Sequence, residues 1–408
     1  MKKMCDSGVE WIGEVPEGWE VNLIGTFYSQ RSEKVSDRDY APLSVTMKGV
    51  LPQLATVAKT DDGDNRKLVK KGDFAINSRS DRRGSCGISE YDGSVSLINT
   101  ILMPRGEMDP RYYNWLFHTE AFADEFYKWG HGIVDDLWTT RWSEMKRIQI
   151  VAPPLSEQRR IADYLDEKCA AIDGAVDELK RGIEDCKAWK KAIIFEAVTG
   201  KANVLAAKNA KVAKRQMRDS GIPWIGEIPE GWEALPLKRI CSMQAGKTLS
   251  SEQIATNGAI SVYGGNGIRG YYSTYNFDGE CLLVGRQGAL CGNVHYVSGK
   301  IWATEHALIT LPNDKVVLPF LNWLLIGMDL NRYVTQTAAQ PGLAASVLLN
   351  AKTVLPTLPE QQAIADYLDE KCAAIDALVA EKEKLIADLE AYKKSLIFEL
   401  VTGKREVA

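Results

Sequence analysis

Apolar side chains recur at alternating spacings of four and three along two stretches of this chain. Leu165, Cys169, Ile172, Val176, Leu179, Ile183, Cys186, Lys190, Ile193 and Ala197 form the first series. Leu368, Cys372, Ile375, Val379, Lys382, Ile386, Leu389, Lys393, Leu396 and Leu400 form the second, with Leu378, Leu385 and Tyr392 expected to widen it. This is the heptad seam of a helix that packs on another helix. Pro153-Pro154 ahead of the first series and Pro359 in the second suit helix starts, and Gly200 and Gly403 suit helix stops. Each helix is expected to span about 43 residues, roughly 65 Å at ~1.5 Å per residue. A lone helix cannot bury its seam, and the nearest partner is the other copy. The order domain, helix, domain, helix predicts antiparallel packing, with the two domains at opposite ends and related by a rough twofold.

The repetition extends beyond the helices. Asp6-Ser-Gly-Val-Glu-Trp-Ile-Gly-Glu-Val-Pro-Glu-Gly-Trp-Glu20 returns as Asp219-Ser-Gly-Ile-Pro-Trp-Ile-Gly-Glu-Ile-Pro-Glu-Gly-Trp-Glu233. Ile161 to Asp173 returns unchanged at Ile364 to Asp376, and Lys190 to Lys201 returns at Lys393 to Lys404 with three substitutions. Between the opening motif and the helix the copies diverge. Both inserts still carry glycine, acid, three apolar residues, two more and arginine: Gly72-Asp-Phe-Ala-Ile-Asn-Ser-Arg79 and Gly279-Glu-Cys-Leu-Leu-Val-Gly-Arg286. A short strand delivering an arginine to a loop fits both. The loops return through Cys86-Gly87 and Cys291-Gly292, and Asn114-Trp-Leu116 and Asn322-Trp-Leu324 mark matching helices. The expected class is mixed α/β (α+β): two strand-rich domains, 1–155 and 219–357, with helices at 156–200 and 358–408 forming an antiparallel coiled coil. A basic linker spans 201–218. The inserts read as diverged copies of one fold, with variation concentrated in loops.

Composition narrows the function classes. The chain has 408 residues, 45% hydrophobic, with net charge −4. That charge argues against indiscriminate nucleic-acid binding. Basic residues nevertheless cluster: Arg66, Lys67, Lys70, Lys71, Arg79, Arg82 and Arg83 against Asp73 and Asp81, and Lys201, Lys208, Lys211, Lys214, Arg215 and Arg218 with no acid. No apolar run approaches the ~20 residues of a membrane helix. The opening Met1-Lys-Lys-Met-Cys-Asp-Ser lacks the apolar core of a signal peptide. The eight cysteines make no CxxC pair, and Cys169 and Cys372 read as small core residues. A reducing cytoplasm and no membrane association are expected.

Enzymatic motifs are missing. Gly265-Asn-Gly-Ile-Arg-Gly270 matches GxGxxG, but Tyr271-Tyr-Ser-Thr-Tyr275 follows where a dinucleotide site needs a helix. The glycines are read as a tight turn. Cys281, Cys291, His295 and His306 fit no zinc spacing. No residue set is assigned as catalytic, and no metal or cofactor is expected on this chain. The candidate chemistry is DNA recognition, because arginine contacts guanine bidentately and Asn or Gln contacts adenine. Ser78, Arg79, Arg82 and Arg83 offer it in the first insert, and Tyr263, Asn266, Arg269, Arg286 and Gln287 in the second. A solvated surface is the bland reading of any one such group. Its recurrence in both inserts favours DNA.

Together these motifs resemble the specificity subunits of type I restriction-modification enzymes. The resemblance covers essentially the whole chain. It rests on the paired Trp-Ile-Gly-Glu-(Val/Ile)-Pro-Glu-Gly-Trp motifs, on Pro154-Leu-Ser-Glu-Gln158 and Leu358-Pro-Glu-Gln-Gln362, on the Ile-Ala-Asp-Tyr-Leu-Asp-Glu-Lys helices and on the Thr-Gly-Lys tails. Tyr263 through Gly279 looks like the second target recognition domain of that family. The resemblance implies that each insert is a target recognition domain reading one half of an asymmetric, bipartite double-stranded DNA site. It implies helices that set the spacing and dock two modification subunits, which methylate adenine with S-adenosylmethionine. Restriction subunits that use ATP and Mg can join. Two alternatives stay open. One is a coiled-coil adaptor binding only proteins. The other, disfavoured because an Asn/Asp-Pro-Pro-aromatic motif and a cofactor loop are absent, is a stand-alone DNA adenine methyltransferase.

Overall fold

The computed structural model describes residues 3–53, 63–79, 82–132, 138–205, 215–288, 291–337 and 340–407. Ser80 and Asp81 of the first arginine loop, Ala289 and Leu290 of the second, and Lys208, Lys211 and Lys214 of the basic linker lie outside them. The chain divides into two units. The first is Met1–Leu179 with Lys384–Ala408, and the second is Lys180–Glu383. The long helices are Leu155–Val198 and Leu358–Val401, 44 residues each. Each contributes one part to each unit.

In the first unit, antiparallel strands order as Cys86–Ile88, Phe74–Asn77, Asn99–Pro104 and Tyr28–Arg31. Phe74-Ala-Ile-Asn77 is buried throughout because both of its faces are covered. Phe74 and Ile76 join a core with Tyr28, Tyr112, Phe117 and Phe122. Ala75 joins Val69, Val95 and Ile101 on the other side. Ile161, Leu165 and Cys169 of the first long helix and Leu396, Leu400 and Val401 of the second complete the larger core. The Tyr112 hydroxyl donates to the Val401 carbonyl at 2.7 Å.

The second unit is built on one six-stranded sheet ordered Cys241–Ala245, Ala307–Pro312, Phe277–Gly285, Val294–Ala303, Ile260–Gly264 and Gly267–Tyr272. Only the pairing of Ile260–Gly264 with Val294–Ala303 is parallel. Phe277–Gly285 repeats the logic of its counterpart: Leu282 and Val284 face one core, Cys281 and Leu283 another. Gly265 to Gly270 is the tip and second strand of an antiparallel hairpin, with Gly267 at φ +94°.

The frame around these sheets makes the same bonds in each unit. The indole N–H of Trp19 donates to Glu157 at 3.1 Å, and that of Trp232 to Glu360 at 3.0 Å. Trp115 donates to Asp166, and Trp323 to Asp369, both at 2.8 Å. The buried Gln158 side chain donates to the Pro153 carbonyl and accepts from the Asp109 N–H. Gln361 does the same with Pro356 and Val317. Gly403 packs on Pro16 and Trp19, as Gly200 packs on Pro229 and Trp232. Both glycines have φ near +75°, the left-handed stop expected at a helix end. The repeated opening motif is thus the seat for a repeated helix tail.

The seam residues are sheltered within their units. Leu165, Val176, Ile183, Leu368 and Ile375 are buried, and Ile172, Leu179, Val379, Ile386 and Leu389 are half-buried. In the second unit Gly182 lies beside Lys382, while Lys190 bonds Asp376, so the helices run antiparallel there. The seam is narrower than its sequence suggests. Leu378, Leu385 and Tyr392 are 41%, 47% and 46% exposed instead of widening it. They sit one step outside the four-three spacing, and two helices cover only that stripe.

Candidate nucleic-acid interface

In the first unit, the buried strand Phe74–Asn77 ends in a turn that turns Arg79 outward. The Arg79 N–H donates to Asn77 Oδ1 at 3.0 Å, and its backbone bridges to Thr139. Ser78 is not on the surface. It is buried, its hydroxyl lies 2.8 Å from that of Thr100, and its carbonyl accepts from the Thr140 N–H. Ser78 therefore supports Arg79 from behind instead of offering its side chain to DNA. Arg82 and Arg83 are exposed on the following turn. Arg83 pairs with Asp124 at 3.1 Å and lies 4.2 Å above the Tyr127 ring. An exposed pair of this kind contributes only ~0–1 kcal/mol, so the guanidinium can exchange partners.

A polar cleft adjoins this turn. Ser78 and Thr139, which flank and bridge Arg79, line it together with Gln30, Lys67, Thr100, Arg141, Trp142 and Lys146. Among the described residues no acidic side chain lines it. Lys67 donates to the Asn99 carbonyl at 2.6 Å, and burial pushes its pKa down. Arg141 and Lys146 are exposed. Sequence reasoning missed this group because its members come from distant strands and a short helix, Trp142–Met145, which pairing alone brings together.

The second unit brings the Asn266 turn against the Arg286-Gln287 segment, while Tyr263 and Arg269 stand on the two strands that this turn joins, Ile260–Gly264 and Gly267–Tyr272. The Gly265-Asn266 turn, the Arg286-Gln287 segment and Thr304-Glu305-His306 are held by backbone bonds. Thr304 N–H donates to the Tyr263 carbonyl, and Arg286 N–H to the His306 carbonyl, both at 2.9 Å. Any Cβ on Gly285 would run into the Gly265 carbonyl, so glycine is required for the two backbones to touch. The Arg269 stem lies over Gly264 in the same way. Arg269, Asn266 and Gln287 are exposed, whereas Tyr263 and Arg286 are half-buried. Asn266 accepts from Asn293 at 2.6 Å. Arg286 Nε is buried without a hydrogen-bond partner among the described residues, as is Glu305 Oε2. Glu305 Oε1 lies 3.4 Å from His306 Nε2. Neither Glu305 nor Asn293 stood out in the sequence, and His306 did so only as a metal candidate.

Among the described residues no group of three or more His, Cys, Asp or Glu side chains is placed to hold a metal ion. Cys86, Cys241 and Cys281 are buried, and burial raises each thiol, Cys241 to about 12 and Cys281 to about 11. Such thiols are unreactive. No described helix is long and apolar enough to cross a membrane.

Comparison with known proteins agrees with this organisation. A family described as "Type I restriction modification DNA specificity domain" matches residues 229–388. The type I restriction enzyme EcoprrI specificity subunit of Escherichia coli is 36% identical over 182 residues, which is 43% of this chain and 45% of that protein. The match thus spans less than half of that relative. The type I restriction enzyme MjaVIII specificity subunit of Methanocaldococcus jannaschii is 27% identical, over 96% of this chain and 94% of its own length. Two solved structures share the fold at low identity. A chain from "Structural basis underlying complex assembly and conformational transition of the type I R-M system" gives a TM-score of 0.72 at 14% identity, covering 96% of this chain and 99% of that one. The crystal structure of the HsdS subunit from Thermoanaerobacter tengcongensis gives 0.53 at 15%, covering 96% and 98%.

Proposed function

We propose that the chain is a specificity subunit of a type I restriction-modification enzyme, and that each unit reads one half of an asymmetric, bipartite site in double-stranded DNA. A specificity subunit is not the catalytic one. This chain supplies the address, and partner subunits supply the chemistry: two modification subunits using S-adenosylmethionine, and restriction subunits using ATP and Mg, in the cytoplasm. The observation that carries the reading is a frame whose tryptophan–carboxylate bonds recur in both units around two different arginine-bearing surfaces.

In the first unit Arg79 and Arg82 contact base edges, Arg83 exchanges Asp124 for DNA, and Arg141 and Lys146 hold phosphate. In the second, Arg286, Gln287, Asn266 and Arg269 contact base edges, with half-buried Tyr263 near Asn266 in sequence and packed on the cluster of Cys281 and Leu283. Arginine and amide side chains suit guanine and adenine respectively. The segments 1–155 and 219–357 are the two recognition domains. The helices set the number of unread bases between the halves.

The test is methylome sequencing of a host supplied with this chain and its modification subunits. Arg286→Ala with Gln287→Ala is expected to relax one half-sequence only. Arg79→Ala with Arg82→Ala and Arg83→Ala is expected to relax only the other. Each lost bidentate contact costs about 1–3 kcal/mol of discrimination. Equal loss on all sequences would make these residues phosphate clamps. If the chain joins its partners yet the complex gives no gel shift with DNA, the adaptor reading replaces this one.

A further inference from the structure

A small apolar notch adjoins the arginine turn of the first unit. Ile76, at the end of the buried strand, forms its buried walls with Phe117, Phe122 and Phe126, and the half-buried rings of Tyr127 and Trp138 flank it. Its volume is about 20 Å³, on the measure by which one water molecule needs about 10–15 Å³. That is room for a methyl-sized group and not for a base ring. Among the described residues that line it, only Arg79 and Arg83 are exposed, so its mouth lies on the turn that carries them.

The walls are firmly packed. The Phe117 and Phe122 rings lie 4.5 Å apart, and those of Tyr127 and Trp138 5.6 Å. Trp138 also rests on the backbone of Gly130, where any Cβ would collide with its ring. Water suits the notch poorly, because a buried water needs about two to four polar partners. The Trp138 indole N–H is spent on the Tyr127 carbonyl at 2.9 Å, and the Thr140 hydroxyl on the Phe126 carbonyl at 2.7 Å. The Ser78 hydroxyl is paired with that of Thr100. An apolar void forfeits dispersion contacts that a fitting group would recover. Of the ordinary bases, thymine alone ends its major-groove edge in such a group, the C5 methyl beside its O4 acceptor.

We propose that this notch receives the C5 methyl of a thymine in the half-site of the first unit, beside the bases that Arg79 and Arg83 contact. The inference rests on the reading that this unit binds DNA through its arginine turn. It adds an apolar contact to a surface otherwise read as hydrogen-bonding.

The experiment measures binding of the full chain, assembled with its modification subunits, to duplexes carrying the site that methylome sequencing gives. The first half-site is the half relaxed by Arg79→Ala with Arg82→Ala and Arg83→Ala. Each thymine on either strand of that half is replaced in turn by uracil, which keeps the base pair and removes only the methyl. One position is expected to lose about fourfold in affinity, the worth of burying one methyl-sized group. At that position 5-bromouracil, whose bromine is close to a methyl in size, is expected to restore binding. The longer 5-propynyluracil is expected to bind worse than uracil. Ala123→Leu fills the notch from its wall and is expected to bind thymine and uracil duplexes alike. Ala123→Val replaces it if the leucine variant does not assemble, and the base series decides alone if neither does. A first half-site without thymine overturns the inference. So do a uracil series with no loss, a bromouracil that does not restore, a propynyl group that is accepted, or a filled variant that still prefers thymine. If the arginine variant relaxes neither half, the DNA reading of the turn has failed, and the notch falls with it.

Discussion

The residue ahead of the delivered arginine is serine in one unit and glycine in the other, and the two surfaces differ accordingly. In the first unit Ser78 points inward, bonds Thr100, and itself lines a cleft with Lys67, Arg141 and Lys146, while the next residue, Arg79, is exposed. In the second, Gly285 lets two backbones touch, and Arg286 emerges in a tight cluster with Asn266, Gln287, Glu305 and His306. The preceding acid diverges as well. Asp73 is buried against Arg31 at 2.7 Å, whereas Glu280 is exposed. Around these differences the tryptophan, glutamine and glycine contacts of the frame are the same. Duplication has left fixed what positions a surface and released what composes it.

The sharpest way to break this comparison is to exchange the two residues. Gly285→Ser is expected to drive a side chain into the Gly265 carbonyl, cost about 1–3 kcal/mol as overpacking does, and abolish recognition of the second half-site. Ser78→Gly removes one buried hydroxyl bond, worth about 1 kcal/mol, and is expected to weaken the first half-site without changing its sequence. Thermal melts and methylome sequencing read both. Comparable losses from the two variants would mean that the arginines stand on equivalent supports.

A smaller effect would sharpen the contrast between cleft and cluster. Arg141→Ala with Lys146→Ala is expected to weaken binding of the assembled complex to all DNA alike. It should also flatten the salt dependence of log K by about 2, near 0.9 per phosphate contact. A change in half-site sequence would move these residues from phosphate to base contact. The last test concerns the frame and reads stability alone. Trp19→Phe and Trp232→Phe each remove one indole bond to an ionised carboxylate, about 1.5–3 kcal/mol at most for a bond to a charged group. Calorimetry of the two variants should show matching losses. Unequal losses would mean that matching geometry hides unequal energetics.

The frame was legible in the sequence because it is written twice and because a heptad seam declares itself by spacing. The arginines were legible because Gly72 to Arg79 and Gly279 to Arg286 can be laid one on the other. What surrounds them was not. Gln30, Lys67, Arg141 and Lys146 meet only through strand pairing and helix placement. Glu305 enters its cluster through one backbone bond between Arg286 and His306. Ser78 reads as a DNA-contact candidate in the sequence, and is buried, because residue type says nothing of which way a turn faces.

The tail of the second long helix sits in the opening motif: Gly403 lies on Pro16 and Trp19, and Lys404 donates to the Ile12 carbonyl at 2.6 Å. Leu396, Leu400 and Val401 fill a core otherwise built from residues before Leu179. A chain emerging from the ribosome N-terminus first must therefore keep its first unit open until residues near 404 have been made. Meanwhile the second unit, continuous from Lys180 to Glu383, already has every residue it needs. The part synthesised first is completed last, so a translation product that stops early leaves an exposed apolar face for proteases and chaperones to find.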